Sequence, residues 1–232
     1  MEAIAQVKDL EKSYFRTDAL RKISIDYPRG SICGLIGPNG SGKTTLLKSM
    51  VGLVKPDSGQ IIYTDSEIAK NTKEKVAFLP EINHLYKWMT IENIINFYDS
   101  QFQNFDKEKA LEIVEFMNLK SNLKISSLSK GMAGRVKLVL VMAREVPLLL
   151  LDEPLAGIDP QSRGRILDSL ITEFDVETQS VVLSTHEVLE AERIFDYVVF
   201  LEKGKVKMQG YADDLREEYN KSIQDIVKEV YK

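Results

Sequence analysis

Short apolar runs dominate the first third of the chain and predict strands. Runs with β-branched or aromatic residues, bounded by turn formers, occur at 3–8, 22–27, 31–36, 60–63 and 75–79. One helix is predicted to interrupt these strands, from residue 43 to about residue 51, and Gly52 closes it. We therefore expect the first 80 residues to form mainly β-sheet with a single helix.

Between residues 90 and 143 the apolar positions change to a helical period. The residues that share helix faces are Ile91, Ile94, Ile95 and Tyr98, and then Ala110, Leu111, Val114 and Met117. Asp106 and Ser129 suit N-cap positions. Because no linker or repeat divides the chain, this stretch predicts a helical subdomain inserted into a single body.

Strand and helix patterns alternate in the next part of the chain. Predicted strands at 148–151 and 180–184 are each followed by a predicted helix. The first helix starts at Asp159-Pro160, with a cap and an N1 proline in the favoured order, and the second covers 187–194. Such alternation is typical of parallel βαβ units.

The end of the chain predicts a hairpin and a helix. The hairpin joins 197–201 to 205–209 through Lys203-Gly204. Apolar residues then recur at helical spacing after Ser222, at Ile223, Ile226, Val227 and Val230. We expect this last helix to pack against the body.

A phosphate-binding pattern, G-x-x-x-x-G-K-[ST], lies between a predicted strand and a predicted helix, in Gly37-Pro38-Asn39-Gly40-Ser41-Gly42-Lys43-Thr44. Glycines let backbone N–H groups turn inward around a phosphate, and the helix N-terminus adds its positive end. Lys43 would reach the β- and γ-phosphates, and the Thr44 hydroxyl would ligate Mg²⁺. A glycine-rich turn without function is the alternative, but the flanking strand and helix favour nucleotide binding.

Two carboxylates end the apolar strand at 148–151. They are Asp152 and Glu153, and Pro154 follows them. The carboxyl ends of parallel strands line the ligand crevice, so this end should face the phosphate loop, residues 37–44. Asp152 would hold Mg²⁺ through the coordination shell of the ion, and Glu153 would accept a proton from the water that attacks the γ-phosphate. An ordinary strand exit can carry the same residues, so the prediction depends on the neighbouring loop.

Each of the two histidines has a different expected role. His186 follows the strand at 180–184 by two residues and so lies at the same carboxyl edge as the phosphate loop and Glu153. This convergence favours a contact with the γ-phosphate over an ordinary surface histidine. His84 has no such neighbours and receives no functional assignment.

Composition limits the remaining functions. The 232 residues carry 31 Lys and Arg against 35 Asp and Glu, so no general basic field draws the chain to nucleic acid or anionic lipid. The only cysteine, Cys33, excludes an internal disulfide and a cysteine-based zinc cluster, and it suits a reducing cytosol. The N-terminal residues lack a secretory pattern, and the longest apolar stretches are too short to span a membrane. We expect a cytoplasmic protein without direct membrane insertion.

The order of the motifs resembles that of the ATP-binding-cassette (ABC) ATPases. They are the phosphate loop, Leu128-Ser129-Lys130-Gly131-Met132, Leu151-Asp152-Glu153-Pro154, Ala156-Gly157-Ile158-Asp159 and Ser184-Thr185-His186. The match spans nearly the whole chain. It implies an α/β fold with a P-loop NTPase core of mixed and parallel sheet, an N-terminal antiparallel β subdomain and an inserted α-helical subdomain.

The resemblance also implies boundaries within one ABC ATPase domain at 1–232. The core would comprise 1–80 and 148–210, and the helical subdomain with the signature motif would comprise 81–147. C-terminal helices would occupy 211–232.

Further nucleotide contacts follow from the resemblance. In the family, the signature motif touches the γ-phosphate of ATP held by the opposite subunit. Ser129 and the Gly131 amide suit this role because a serine cap and an exposed helix start bind anions. Tyr14 matches the aromatic residue that stacks on adenine, and Asp159 belongs to the loop that joins the two sites. Thr45 is included among the nucleotide-binding residues.

A site completed by two chains implies a dimer that ATP closes and hydrolysis opens. The expected partners are a second ABC ATPase subunit, identical or different, and a transmembrane permease; no nucleic acid is expected. The coupling helix of the permease would lie against residues 81–93. The protein would then lie at the inner face of the cell membrane, bound through the permease, with ATP and Mg²⁺ as its cofactors.

Two departures from the family pattern affect the interpretation. Glu81 stands where the family generally has glutamine; a carboxylate can still ligate Mg²⁺ or orient water, but it adds a negative charge near the phosphates. Lys130 replaces a glycine and Met132 a glutamine. Lys130 could offer a cation to the ATP of the partner or extend into solvent, and we favour solvent. Both variants resemble compact ATPases of ABC-2 type exporters, several of which handle antimicrobial peptides or antibiotics.

Two other functions remain as alternatives. A soluble ABC clamp on nucleic acid or ribosomes would usually have two cassettes or a long coiled-coil insertion, and this chain has neither. A catalytically silent cassette paired with an active sibling is suggested by Glu81 and Lys130. The silent alternative is opposed by four residues that all fit their expected roles, namely Lys43, Asp152, Glu153 and His186.

Overall fold

Two β-sheets and ten α-helices form the part of the chain that the structure describes. This structure is a computed structural model that describes residues 2–231, apart from the side chain of residue 67. The strands are β1 (Ala3–Tyr14), β2 (Thr17–Pro28), β3 (Ile32–Ile36), β4 (Ser58–Tyr63), β5 (Val76–Leu79), β6 (Leu148–Asp152), β7 (Ser180–Thr185), β8 (Tyr197–Glu202) and β9 (Lys205–Tyr211). The helices are α1 (Lys43–Met50), α2 (Ser66–Lys70), α3 (Thr72–Lys75), α4 (Ile91–Gln101), α5 (Lys107–Phe116), α6 (Lys130–Met142), α7 (Pro160–Glu173), α8 (Val188–Ala191), α9 (Ala212–Tyr219) and α10 (Ile223–Val230).

The larger sheet has six strands in the order β5-β6-β7-β3-β8-β9. The first five are parallel to one another, and β9 pairs antiparallel with β8. Strands β3, β6 and β7 are buried along their whole length, as expected for parallel strands covered on both faces. The carboxyl ends of β5, β6, β7 and β3 therefore meet at one edge, which we call the carboxyl edge.

The smaller sheet is antiparallel and has the order β2-β1-β4. Its inner face includes Ile4, Val7 and Ile25, which share one buried cluster with Leu35 of β3 and Leu46 of α1. A second buried cluster joins the other face of the six-stranded sheet to helices α4 to α7 and α10. The six-stranded sheet is thus packed between two apolar layers, and α1 lies beneath the antiparallel sheet.

Helices α4, α5 and α6 form the helical region that the apolar period predicts. Each begins at a side-chain cap: Thr90 accepts from the N–H of Asn93, Asp106 caps α5, and Ser129 caps α6 through the N–H of Met132. The caps predicted at Asp106 and Ser129 are confirmed.

Several predicted elements differ from the structure in extent. Strands β1 and β2 run well beyond the predicted ranges 3–8 and 22–27. The sequence pattern missed the extra residues because register shifts and a positive φ at Asp9 break the alternation of side chains there. The expectation of one helix in the first 80 residues is wrong, since the short helices α2 and α3 also lie there. The predicted helix at 187–194 is instead the single turn α8 followed by a 3₁₀ turn.

The chain ends as predicted, with a hairpin of β8 and β9 and a docked helix. Ile223 and Ile226 of α10 are buried, and the Tyr231 hydroxyl donates a 2.8 Å hydrogen bond to the carbonyl of Ile36. Among the described residues no helix is long and apolar enough to cross a membrane. The predicted boundaries at 1 and 232 lie outside the described residues, and the division into 1–80 with 148–210, 81–147 and 211–232 stays a prediction.

Candidate nucleotide-binding and hydrolysis site

The phosphate loop connects β3 to α1 at the carboxyl edge. Gly42 has φ +110°, and a Cβ there would lie 2.4 Å from the carbonyl oxygen of Ala19, so only glycine fits. Helix α1 begins at Lys43 with no side-chain cap. Its first N–H groups and positive end are consequently available to an anion.

The Lys43 ammonium lies inside this loop and is 5% exposed. It donates to the carbonyl oxygen of Gly37 at 2.7 Å and to that of Pro38 at 3.3 Å. It also lies 3.0 Å from Oε1 of Glu153, whose side chain is 7% exposed. The predicted phosphate-binding lysine and the predicted base thus form a buried ion pair.

Asp152 is the last residue of β6, and its carboxylate is buried. Its Oδ1 accepts hydrogen bonds from the hydroxyls of Thr44 at 3.1 Å and Ser184 at 2.8 Å. Its Oδ2 is buried and has no hydrogen-bond partner among the described residues. A free carboxylate oxygen beside a threonine hydroxyl fits a Mg²⁺ site, because this ion prefers oxygen ligands.

Glu153 has a left-handed backbone, with φ +49°. Its N–H donates to Ser184, to the hydroxyl at 3.0 Å and to the carbonyl at 3.2 Å, and these bonds hold the unusual conformation in place. Its Oε2 lies 2.9 Å from Nδ1 of His186. The carboxylate is therefore fixed between Lys43 and His186, where a water at a bound γ-phosphate would meet it.

A cavity of about 410 Å³ opens onto these groups. Its lining residues are Thr17, Ala19, Asn39, Gly40, Ser41, Gly42, Lys43, Thr44, Thr45, Glu81 and Glu153. The structure thus brings Glu81 from the end of β5 to the phosphate loop. The Glu81 carboxylate is therefore the third at this edge, together with those of Asp152 and Glu153.

Lys137 was not predicted as a site residue. It lies on α6, is 9% exposed, and donates to the carbonyl oxygens of Pro80, Glu81 and Ile82 at 2.8, 2.9 and 3.3 Å. Burial lowers the pKa of its ammonium, and the nearby negative charges of Glu81 and Asp152 act in the opposite direction. In sequence it stands among apolar helix residues, and no local signal distinguishes it from a surface lysine.

The remaining predicted residues lie outside this cavity. Ser129 and Lys130 are exposed at the start of α6, and Tyr14 is 44% exposed at the end of β1. Gly131 packs against the next motif, since a Cβ there would lie 3.1 Å from Oδ2 of Asp159. The N–H of residue 162 donates to Asp159 at the start of α7, and this bond lowers the pKa of the Asp159 carboxyl.

Arg163 connects the Asp159 loop to the segment after His186, and sequence reasoning missed it. Its Nε donates to the carbonyl of Ile158 at 2.7 Å, and its guanidinium pairs with Glu187. One side chain thus joins the two segments.

Comparison with known proteins identifies the family. The family model of the ABC transporters matches residues 20–156, which include the phosphate loop, the signature and the two carboxylates. The chain belongs to the ABC transporter family. Its α/β fold and its ATP-binding character, both inferred from the motifs, are thereby confirmed.

Relatives named for different functions match this ABC cassette at similar identity. The ABC transporter ATP-binding protein YtrB of Bacillus subtilis (strain 168) is 31% identical, over 93% of this chain and 75% of YtrB. The linearmycin resistance ATP-binding protein LnrL of the same strain is 30% identical, over 90% and 70%. A sulfate/thiosulfate import ATP-binding protein, CysA of Mesorhizobium japonicum, is 31% identical, over 90% and 64%.

Solved cassettes share the fold along nearly the whole chain. An ATP-binding subunit of an ABC transporter superposes with a TM-score of 0.86 at 28% identity, covering 99% of this chain and all of that one. The cassette MJ0796, a dimer in a post-hydrolysis state with ADP and Pi, gives 0.76 at 25% identity, covering 89% and 98%. The chain is accordingly an ABC transporter ATP-binding subunit.

Proposed function

We propose that this subunit hydrolyses ATP and that the carboxyl edge is its reaction centre. The supporting observation is that three separate segments meet at this edge. Lys43 and Glu153 form an ion pair and line one cavity, Asp152 accepts a hydrogen bond from the lining residue Thr44, and His186 contacts Glu153. Glu153 accepts the proton of the attacking water, and His186 holds the Glu153 carboxylate from the other side. Thr44 and Asp152, with Glu81 nearby, would hold Mg²⁺, which supplies positive charge to the phosphates when bound.

The buried pair of Lys43 and Glu153 restrains the site before nucleotide binds. Both side chains are almost fully buried, so their attraction is screened less than that of a surface pair. A phosphate group that enters the loop competes with Glu153 for the ammonium. Binding would thus free the carboxylate for the water.

We also propose that the complete site requires a second cassette, identical or different. Ser129 and Lys130 are exposed on the helical region and do not line the cavity of their own chain. The N-terminus of α6, with its exposed Ser129 cap, suits an anion supplied from outside. The dimeric state of the solved cassette MJ0796 supports this arrangement.

The surface after Glu81 is the proposed contact for a permease. Three large apolar residues are exposed there: Ile82 at 72%, Tyr86 at 48% and Trp88 at 72%. Such a patch beside a catalytic loop suits a helix of a protein partner. We expect Trp88→Ser to reduce stimulation of ATP turnover by the permease and to leave the turnover of the isolated chain unchanged.

Export is the proposed direction, and peptide or antibiotic-like compounds are the proposed substrates. The variant signature with Lys130 and Met132 and the likeness to the linearmycin resistance protein support export. The import protein CysA matches at similar identity, so the transport assay must compare both directions. Compounds that raise ATP turnover of the cassette bound to its permease would identify the substrate.

Glu153→Gln tests the reaction centre. The amide keeps the shape of the side chain but cannot accept the proton, so turnover should fall by about 100-fold or more. ATP should still bind, and Mg²⁺-ATP should convert the variant into a stable dimer in analytical ultracentrifugation. Glu145→Gln is the matched control, because Glu145 is exposed and precedes the N-terminal end of β6, away from the carboxyl edge.

Each outcome of this experiment selects one function. Wild-type turnover with loss in Glu153→Gln supports the active ATPase. Hydrolysis by Glu153→Gln at the wild-type rate would overturn the role of Glu153. ATP binding without turnover in the wild-type chain, even with its permease, would instead support a silent cassette.

A further inference from the structure

The buried lysine of α6 holds the segment that delivers Glu81. Strand β5 ends at Leu79, so residues 80–82, here the Glu81 loop, are the first without strand pairing. Their three consecutive carbonyl oxygens all accept from the Lys137 ammonium. An ammonium has three donors, and this loop satisfies all of them.

Such a contact has a structural consequence for the cavity. A buried ammonium is stable only where its donors are satisfied, so α6 and the Glu81 loop hold each other in one arrangement. Helix α6 also carries the signature residue Ser129 at its N-terminus. A rigid helix therefore connects the surface that meets the second cassette with the loop that carries Glu81.

Charge at the carboxyl edge gives Lys137 a second role. Glu81 and Glu153 line a cavity that must also accept a polyphosphate, and a third carboxylate, Asp152, is bonded to the lining residue Thr44. Both Glu81 and Asp152 interact electrostatically with the Lys137 ammonium. A buried cation beside them offsets repulsion that would otherwise displace the Glu81 carboxylate.

We propose that Lys137 is a positioning residue for ATP hydrolysis, which acts by fixing the Glu81 loop and by balancing the negative charge of Glu81. Lys137 and Glu81 then function as a pair between the signature helix and the cavity. This inference rests on the proposed ATPase function.

A double-mutant cycle tests the pair. The variants are Lys137→Met, Glu81→Gln and the combination, with kcat and KM for ATP measured on the full chain. Lys137→Met should lower kcat by about tenfold, because a small displacement of a positioned group has large effects on rate, and should change KM by less than about threefold. In the Glu81→Gln background the same change should lower kcat by less than about threefold, since the carboxylate that Lys137 positions and balances is gone.

The controls separate positioning from simple support of the fold. Lys109→Met, on α5 and without contact to the Glu81 loop, should leave kcat unchanged. If Lys137→Met melts below the assay temperature, the cycle is measured with Lys137→Arg. Arginine keeps the charge, but its planar guanidinium cannot donate to the same three carbonyl oxygens. That variant should show a smaller loss with the same dependence on Glu81.

Other results would contradict the inference. Equal losses of kcat in both backgrounds would assign Lys137 a merely structural role, and a wild-type rate in Lys137→Met would exclude any role in turnover. Absence of turnover in the wild-type chain would overturn the proposed function and this inference together. Turnover in the wild type with equal losses in the variants would overturn the inference alone.

Discussion

The carboxyl edge and the start of α6, the two proposed phosphate-binding regions, have opposite character. At the carboxyl edge, Lys43, Asp152 and Glu153 are buried and bonded to one another or to neighbouring residues. At the start of α6, Ser129 and Lys130 face solvent, and Ser129 bonds only its own helix among the described contacts. The first region is assembled by the fold, whereas the second presents binding groups outward.

This difference indicates how the work is divided between two chains. Buried, mutually bonded groups hold a reaction geometry without further change. Exposed groups at a helix start contribute little until a partner removes water from them. Loss of the buried region should therefore impair nucleotide binding or hydrolysis at the site of its own chain. Loss of the exposed region should weaken association and leave nucleotide binding by the single chain intact.

Lys43→Ala should have the largest effect of these variants, a loss of nucleotide affinity. An unaltered affinity would contradict the contrast between the buried and the exposed region. It removes the cation of the phosphate loop and leaves Glu153 with an unpaired buried charge on that side. Nucleotide affinity should fall by about 10- to 100-fold, as expected for loss of charged hydrogen bonds. Binding of a fluorescent ATP analogue measures it, with Lys48→Ala on the same helix as the control; unchanged affinity would refute the nucleotide site.

Lys130→Ala tests whether the Lys130 ammonium extends into solvent, as we favour, or meets the ATP of a partner. Only the second case gives an effect, and that effect is confined to the dimer. The side chain is exposed and caps nothing, so folding and the nucleotide affinity of the single chain should be unaltered. If it meets the ATP of a partner, association of the Glu153→Gln form should weaken by about two- to fivefold, the range of exposed ion pairs. Sedimentation with Mg²⁺-ATP decides this, with Lys120→Ala as control, and an unchanged dimer would place Lys130 in solvent.

Ser129→Ala sharpens the same comparison because it changes the helix cap. Loss of the cap should destabilise the helical region by about 1 kcal/mol. It should also weaken the ATP-bound dimer more than Lys130→Ala does, since the hydroxyl and the helix N-terminus act on one anion. Melting curves and sedimentation separate the two effects, and weaker association without ATP would contradict the assignment.

The smallest expected effect concerns pH and the cap of α7. Hydrogen bonds with Ser162 hold the pKa of Asp159 below its ordinary value. A carboxyl with a lowered folded pKa contributes stability above its ordinary pKa and loses that contribution as pH falls through the folded value. The stability difference between wild type and Asp159→Asn should therefore shrink as pH falls below about 4 in thermal melts. A difference that is constant with pH would exclude ionisation of Asp159 as its cause.

The sequence predicted some elements and residues better than others, because only regular and sufficiently long patterns are visible in it. Asp152, Glu153 and His186 could be placed together because each follows a strand, and parallel strands end at one edge. Helices α2 and α3 escaped prediction because segments of five and four residues are too short to show a helical period. The extra length of β1 was hidden by the irregular pairing around Asp9.

The site also contains residues whose contacts the sequence could not predict. The Ser184 hydroxyl binds both Asp152 and the N–H of Glu153, yet the sequence marks it only as a polar residue near a strand end. Lys137 reaches carbonyls more than 50 residues away in the chain. Neither contact follows from local propensity, because both depend on how separate elements pack.

The chain itself determined the phosphate loop, the order of the motifs and the alternation of strands and helices, because these depend on short-range spacing and backbone preference. Only the tertiary structure decided that Lys43 pairs with Glu153, that Glu81 lines the same cavity and that Lys137 holds its loop. Such contacts require distant segments to be buried together, where low polarity makes each charge depend on its neighbours.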